Sequence, residues 1–351
     1  MQKYLVILAI IACGLGSGAT AAIRVAIFHT ELERKGPGIL LRDIARGTND
    51  QVNAVQSVIA AVDPDILLIL GFDYDLNQAA LTALRDQLSK RGIAYPHLFS
   101  KRPNTGMPTG LDMDGDGYVG DPSDAQGYGR FSGQGGMAIL SKWPIDVSNV
   151  QDHSAVLWRD LPDALLPFTA SGPFPSSQAL KIQRLSTTAH WAVPITIDTG
   201  DTLYVLAFHA GPPVFDGPED RNGKRNHDEL MFWEYYLGGA FGPHPAQRFV
   251  LMGGANQDPS ASQGRTDAIR RLIAHPALQD PIPRSVAQNT TTHDPSDTVY
   301  WPPPGPGGRR VDYVLPSRDW RVTGTGVYWP KDDPAVQTAS RHRLVWVDLQ
   351  D

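Results

Sequence analysis

The chain ends in two apolar runs that each carry a polar side chain able to do chemistry. Asp312 lies in the run 309–317 and His342 in the run 340–349, and turn residues bound both runs. Apolar runs of this length between turn residues are typical of strands. We therefore expect an Asp and a His at neighbouring strand ends, and both are side chains that transfer protons in enzymes.

A second candidate site lies in a loop rich in Gly and Asp. Residues 112–118 read Asp-Met-Asp-Gly-Asp-Gly-Tyr. The alternating carboxylates are Asp112, Asp114 and Asp116. Such a pattern, followed by Gly, matches the first half of a calcium loop. Ser123 stands where that loop has its bidentate Glu, and Asp121 and Asp124 are candidate replacements. The stretch is therefore either a structural calcium site or a solvated acidic turn.

Basic residues cluster in the long segment 212–229, which follows a strand ending in His209. They include Arg221, Lys224 and Arg225. Guanidinium groups match phosphate oxygens, so Arg221 and Arg225 are candidate ligand-binding residues of an anion site. The alternative is that these charges pair with acidic residues of the same segment. Those residues are Asp216, Glu219, Asp220, Asp228 and Glu229.

Strands and helices that would position these residues alternate along the chain. The stretch 23–28 predicts a strand that ends at His29, and 66–70 predicts a buried one. Between them, a capping box at 48–51 predicts a helix that residues 63–65 stop. A second helix follows, closed by Gly92. A later capping box, Asn226 with Glu229, predicts the start of another helix. This order of elements favours an α/β layered domain.

Composition disfavours one broad class of partner, nucleic acids, without excluding it. The chain has 351 residues, of which 41% are hydrophobic, so it can bury a sizeable core. Its net charge is −6. Because no general basic field surrounds an acidic protein, sequence-independent binding of nucleic acid is not favoured.

The first 22 residues differ from the rest. Lys3 precedes the apolar run 4–12 and the small residues 14–22, with Ala19-Thr20-Ala21 as a cleavage site. This pattern predicts a secretory signal peptide over 1–22, hence a periplasmic or extracellular domain over 23–351 with no transmembrane segment after processing. Cys13, the only cysteine, is either incidental or a lipidation site. The exported body therefore has no disulfide.

Seven stretches resemble, in order, the motifs of the endonuclease/exonuclease/phosphatase superfamily. They are 23–29, 65–73, 135–145, 203–209, 249–259, 309–317 and 340–349. The resemblance implies an α/β fold of four layers, in which two mixed, mostly antiparallel sheets pack face to face with helices outside. It also implies that His209 and Asn256 contact phosphate and that Asp312 orients His342, which makes these four the candidate catalytic residues.

The sequence departs from the superfamily motifs at four positions. His29 replaces an Asn, Gly71 the metal-binding Glu, Gly254 the Asp proposed to activate water, and Arg341 the Asp before the final His. Glycine can neither hold a hard cation nor take a proton. The magnesium or manganese ion that the resemblance implies therefore lacks its expected carboxylates.

Two functions remain. In the first, the chain hydrolyses phosphoesters, and the lost ligands are replaced either by Asp73 or Asp75 at the metal site or by His29 as a ligand to a transition metal. In the second, it is a non-catalytic relative that binds a phosphate-bearing ligand with His29 and Arg341 in the residual pocket, or that uses its surface to bind a partner. In either case we expect a monomer. Loss of one preorganised group costs about 10²–10³ in rate. Three missing carboxylates therefore favour the second function.

Overall fold

The computed structural model describes residues 22–261, 263–286 and 294–351. Cys13 and nearly all of the predicted signal peptide lie outside the described residues. Fifteen strands and seven α-helices form within them. The strands are β1 (Ile23–Leu32), β2 (Ile66–Phe72), β3 (His97–Phe99), β4 (Gly136–Ser141), β5 (Gln151–Asp152), β6 (Phe168–Thr169), β7 (Gly172–Pro173), β8 (His190–Thr196), β9 (Thr202–His209), β10 (Phe249–Gly254), β11 (Val299–Trp301), β12 (Gly307–Arg309), β13 (Asp312–Pro316), β14 (Arg321–Tyr328) and β15 (Leu344–Gln350). The helices are α1 (Ile39–Arg46), α2 (Asp50–Val62), α3 (Ala79–Lys90), α4 (Ser177–Ile182), α5 (Arg221–Leu237), α6 (Thr266–Ile273) and α7 (Pro334–Ala339).

Two mixed sheets dominate the fold. One has the strand order β14-β15-β1-β2-β4-β3 and the other β13-β10-β9-β8-β5. Each sheet contains a single parallel pair, β1 with β2 and β9 with β10, and its other neighbours are antiparallel. The predicted pair of mostly antiparallel sheets is confirmed.

Strand β10 shows how the layers form. Val250 and Met252 pack in the core between the two sheets, whereas Phe249 and Leu251 pack on the opposite face, against the apolar sides of α5 and α6. Side chains alternate between the faces of a strand, so an almost wholly apolar strand must be covered on both sides. The predicted sandwich with outer helices is confirmed. None of the described helices is both long enough and apolar enough to span a membrane.

The strand pairing brings the candidate site residues to one edge. Gly254 is paired with His209 on one side and with Asp312 on the other. In the first sheet, His29 near the end of β1 lies beside Leu70 of β2. Because β1 packs against β10 and β13 of the other sheet, these strand ends meet at one mouth of the sandwich.

Helix α5 begins earlier than the sequence predicts. Its first residue is Arg221, and Asn226 and Glu229 lie inside it, so the predicted capping box is wrong. The Asn226 amide instead donates to the carbonyls of Gly211 and Ala255, both at 2.7 Å. The Glu229 carboxylate likewise accepts from the amide of Gly211. Asn226 and Glu229 thus bind residues distant in sequence rather than backbone amides at the start of the helix.

Candidate functional site

Three histidines lie in contact at the mouth of the sandwich. The rings of His29 and His342 stack with centroids 4.3 Å apart, and the ring of His209 meets that of His29 edge-on at 4.9 Å. The Trp301 ring flanks His342 at 5.7 Å. His29, His209 and His342 come from sequence positions far apart, and the fold brings them together.

Asp312 and His342 form the pair that the sequence predicts. The Nδ1 atom of His342 lies 2.7 Å from Oδ2 of Asp312, which also accepts a hydrogen bond from the Thr298 hydroxyl at 3.0 Å. Both members are almost fully buried. The Oδ1 atom of Asp312 has no hydrogen-bond partner among the described residues. The carboxylate can therefore fix the tautomer of His342 with Nδ1 protonated.

Burial keeps the other two imidazoles neutral. Desolvation lowers the pKa of His209 to about 4, and the nearby His342 acts in the same direction. Desolvation also lowers the pKa of His29 well below its usual value. The Nδ1 atoms of His29 and His209 are buried and have no partner in the described part of the chain. Near neutral pH, both rings offer nitrogen atoms rather than positive charge.

Gly71 lies at a β-bulge in β2, where the pairing with β1 and with β4 shifts register. Its φ of +64° is the left-handed region, which favours glycine. A Cβ at this position would lie 2.7 Å from Cε1 of His29 and 3.0 Å from Oε2 of Glu33. An imidazole and a carboxylate from the end of β1 thus fill the space of the missing side chain.

The space beside Gly254 is also filled. A Cβ built there would lie 2.8 Å from Cδ1 of Leu70 and 3.0 Å from Cδ2 of His209. Carbon atoms make favourable contact at about 3.5–4.0 Å. An apolar methyl group and an imidazole therefore stand where the superfamily motif has its acid.

Arg341 neutralises the carboxylate of Glu31. Its Nε donates to Oε1 of Glu31 at 2.8 Å and its backbone N–H donates to Oε2 at 2.8 Å. The Ser340 hydroxyl lies 3.1 Å from the same Oε2. Burial opposes the shift, but the hydrogen bonds from Arg341 hold the pKa of Glu31 below its usual value. Glu31 stays ionised and is committed to this pair.

Magnesium or manganese does not fit the mouth. Among the described residues, one acidic set, in the loop at 112–116, brings three potential ligand atoms within 4.8 Å of one another. No such set of described residues lies at the mouth. Of the carboxylates in and just after β1, Glu31 is paired with Arg341, and Glu33 forms no contact ion pair with another described residue. The donors that face each other are chiefly imidazoles, whereas hard cations prefer several oxygen ligands. We therefore derive no step through a metal.

Asp73 and Asp75 do not replace the lost carboxylates. The two oxygens of Asp73 accept from the backbone amides of Arg34 at 2.8 Å and Gly135 at 2.9 Å. Asp75 accepts from the amide of Ala80 at 2.9 Å. Both side chains thus bind backbone groups around the mouth, and the expectation that either reaches the reacting centre is not supported.

A cavity of about 740 Å³ opens beside the mouth. His209 and Asn256 line one end, where the Asn256 amide donates to the carbonyl of Ala210 at 2.8 Å. Arg221 and Arg225 line it as well. The structure therefore joins two predicted groups, one phosphate-contacting and one basic, in a single space whose size is typical of small-molecule sites.

Arg225 is the more constrained of the two arginines. It is 6% exposed, and its Nε and Nη2 donate to backbone carbonyls of Leu185, Gln126, Arg184 and Ser186. Desolvation lowers its pKa to about 10, although the nearby Glu229 opposes the shift. Arg221 donates to Oε1 of Gln183 at 3.1 Å. The predicted pairing of these arginines with the acids of their own segment does not form as contact ion pairs in the described chain.

Glu229 closes the inner wall of the cavity. It is fully buried, and it accepts hydrogen bonds from the backbone amide and hydroxyl of Thr187 and from the amide of Gly211 at 2.8 Å. Desolvation raises its pKa to about 7. Near neutral pH, Glu229 therefore exchanges between its neutral and ionised forms. It lines the same cavity as Arg225.

The acidic loop keeps its carboxylates close. Ligand oxygens of Asp112, Asp114 and Asp116 lie within 4.8 Å of one another. Asp112 accepts from the amides of Gly115 at 2.6 Å and Gly117 at 2.9 Å. Asp124, a candidate replacement ligand, is buried and accepts from Met113 at 2.7 Å. The calcium site stays a prediction.

Sequence reasoning missed several groups at the site. Glu31, Glu33 and Glu229 were not singled out for chemistry, nor was Phe215 of the cavity wall. One signal was present, because His29, Glu31 and Glu33 alternate along one run and a strand places alternate residues on one face. The bulge at Gly71, which precedes Glu33 in the pairing of β1 with β2, has no corresponding signal in the sequence.

Comparisons with known proteins agree with this architecture. A family model described as the endonuclease/exonuclease/phosphatase family matches residues 39–342. Among solved structures, an endonuclease/exonuclease/phosphatase from Beutenbergia cavernae has a TM-score of 0.56 at 17% identity, covering 94% of this chain and 72% of that one. A family protein from Leptotrichia buccalis has a TM-score of 0.52 at 13% identity, covering 94% and 100%. The human Nocturnin catalytic domain, with bound sulfate, has a TM-score of 0.50 at 14% identity, covering 95% and 94%. No curated protein matches the chain.

Proposed function

The chain belongs to the endonuclease/exonuclease/phosphatase family, and from that premise we propose that it binds a phosphate-bearing ligand and has lost most of the family's hydrolytic chemistry. The repacking around Gly254 carries the proposal. Leu70 and His209 occupy the space beside that position, so a side chain there would have to displace them, and this supports the loss of the water-activating acid. The paired Arg341 and Glu31 support it further, since their charges are spent on each other.

The binding half of the proposal rests on the groups that remain. His209 and Asn256 line the cavity with two guanidinium groups, Arg221 and Arg225. Guanidinium and amide N–H groups are donors that suit phosphate oxygens. The neutral rings of His29 and His209 and the Asp312-oriented His342 complete a donor-rich end of the site.

Glu33 supports a second candidate function, which is phosphoester hydrolysis with a substitute carboxylate. Its Oε2 lies 3.0 Å from the position of a Cβ on Gly71. Desolvation and the charges of Glu31 and Asp73 raise its pKa above the usual value. A carboxylate so placed is a candidate general acid or base.

One experiment separates the two functions. Calorimetric titration with phosphate is run beside hydrolysis of bis-p-nitrophenyl phosphate in magnesium, manganese, zinc and calcium buffers. We expect phosphate binding that weakens in His209→Ala, and turnover no higher than in His342→Ala. Metal-dependent turnover that disappears in His209→Ala, His342→Ala and Glu33→Gln would refute the loss of hydrolysis and establish the second function.

Export and calcium binding are further proposals. The charged start and apolar run of residues 1–22 support export, and fractionation of cells that express the wild type or Cys13→Ser tests it and the lipid anchor. The spacing of Asp112, Asp114 and Asp116 supports a structural calcium ion. Titration of the double variant Asp112→Ala/Asp114→Ala with calcium, against the wild type, tests that site.

A further inference from the structure

The cavity carries opposite charges in different parts. The buried guanidinium of Arg225, with Arg221 beside it, forms what we call the basic floor. Carboxylates line the same cavity nearer to solvent, and we call this set the acidic rim. The acidic rim consists of Asp114, Asp216 and Glu219. The two guanidinium groups share the cavity with these three carboxylates and with those of Glu33 and Glu229. A ligand that matches both the floor and the rim must itself be dipolar.

Among the described residues, no basic side chain forms a contact ion pair with a carboxylate of the acidic rim. Asp216 accepts from the backbone amide of Asn222 at 2.5 Å, and Glu219 accepts from the amide of Gly217 at 3.1 Å. Asp114 accepts from the amide of Asp116 at 3.3 Å. Backbone amides orient a carboxylate without cancelling its charge, so the rim retains a negative potential.

The rim nevertheless lies close to the floor. Burial lowers the pKa of Arg221. The negative charges of the rim act in the opposite direction, and the contribution of Asp114 is the largest, followed by those of Glu219 and Asp216. Within the described residues, Arg221 makes a side-chain hydrogen bond to Gln183 rather than a contact ion pair. Opposite charges that lie near each other without contact leave room for a ligand between them.

An exposed aromatic ring adjoins the acidic rim. Phe215 lines the cavity, is 88% exposed and has a φ of +72°. A bulky residue in the left-handed region is a conformational outlier, and such outliers concentrate at functional sites. Tyr128, which is 62% exposed, lines the cavity too. Aromatic faces beside carboxylates favour cationic groups.

We propose that Phe215 and the acidic rim bind a protonated amine while the basic floor binds phosphate, so the ligand is a phosphoester that carries an ammonium group. This inference rests on the proposed phosphate binding and names the chemical class of the ligand. The same rim repels polyanions, because a nucleic acid or a polyphosphate would bring further negative charge towards Asp216 and Glu219.

Aminoalkyl phosphates test the inference against alkyl phosphates of equal length. Compounds with two, four and six carbons cover the unknown spacing between floor and rim, and each is titrated calorimetrically at pH 7 in about 50 mM salt. We expect the best amine to bind about tenfold more tightly than its alkyl counterpart. That advantage should disappear in Asp216→Asn/Glu219→Gln and fall about threefold in Phe215→Leu. It should persist in Asp198→Asn, which removes an exposed carboxylate outside the cavity wall.

The outcomes separate this inference from the proposed function. Equal binding of amines and alkyl phosphates, or an advantage that survives in Asp216→Asn/Glu219→Gln, overturns the inference and leaves phosphate binding intact. Absence of binding by every phosphate compound overturns both. Urea unfolding of each variant shows whether a lost advantage reflects a lost fold.

Discussion

Gly254→Ala tests whether the place of the catalytic acid is closed. The added Cβ would lie 2.8 Å from Cδ1 of Leu70 and 3.0 Å from Cδ2 of His209, so each neighbour must move by several tenths of an ångström. Leu70 is completely buried and the His209 ring is held against His29, so neither yields freely. Overpacking of this kind costs about 1–3 kcal/mol, and we expect the free energy of unfolding in urea to fall by that amount.

A double-mutant cycle with Leu70→Ala isolates the cause. Leu70→Ala alone should cost about 2–5 kcal/mol by leaving a cavity. In that background Gly254→Ala should cost clearly less, because only the 3.0 Å contact with His209 remains, and the coupling energy should be about 1 kcal/mol or more. Gly36→Ala is the control, because its Cβ would make an ordinary contact of 3.5 Å with Ile39. If Gly254→Ala is as mild as Gly36→Ala, or if the two costs add, the space beside Gly254 is open and the argument for lost hydrolysis fails.

Three further predictions concern the charged groups of the mouth. His342→Ala should lower the free energy of unfolding by about 3 kcal/mol, because the buried carboxylate of Asp312 loses its imidazole partner. The double variant Asp312→Asn/His342→Ala should recover part of this loss. A double variant that is no more stable than His342→Ala would contradict the prediction. The pKa of His209 is lower in the folded state, about 4, than the usual 6.5, so the folded protein binds fewer protons in that range. The free energy of unfolding of the wild type should therefore fall relative to that of His209→Gln by about 3 kcal/mol from pH 7 to pH 4. Parallel profiles would contradict this prediction. Arg341→Met should lower the free energy of unfolding by about 0.5–1 kcal/mol at pH 7, because Glu31 loses its partner. Since the pKa of Glu31 in the folded state lies below its usual value, this loss should vanish as pH falls below about 4. A loss that is independent of pH would show that Arg341 acts by packing.

Local signals in the sequence predicted an α/β layered domain and several of its elements, whereas the sandwich of two sheets was expected from the resemblance to the superfamily. The apolar run 66–70 predicts a strand buried on both faces, and β2 is one. The helix predicted between 48–51 and the stop at 63–65 is α2. The predicted capping box itself does not form, because Asn49 caps the helix and Gln51 donates to the backbone carbonyl of Glu31. Asp312 and His342 were predicted at neighbouring strand ends, and they lie 2.7 Å apart. Patterns of apolar residues survive because burial against any partner layer satisfies them.

Only the tertiary structure decided how the mouth is filled. Gly71 and Gly254 appear in the sequence as missing carboxylates, yet the fold places Glu33 and His29 beside the first and Leu70 beside the second. His29 and Leu70 are paired before the register shift at Gly71 and Glu33 follows it, so local spacing does not encode where these three side chains meet.

The start of α5 shows the same limit. Its sequence offers Asn226 and Glu229 as a cap, but partners distant in sequence, including Thr187 and Gly211, bind those side chains instead. The sequence by itself determined most of the elements and several of the polar residues at the mouth, among them His209, Asp312 and His342. The competition of those residues for partners from both sheets, which local spacing does not encode, determined their roles.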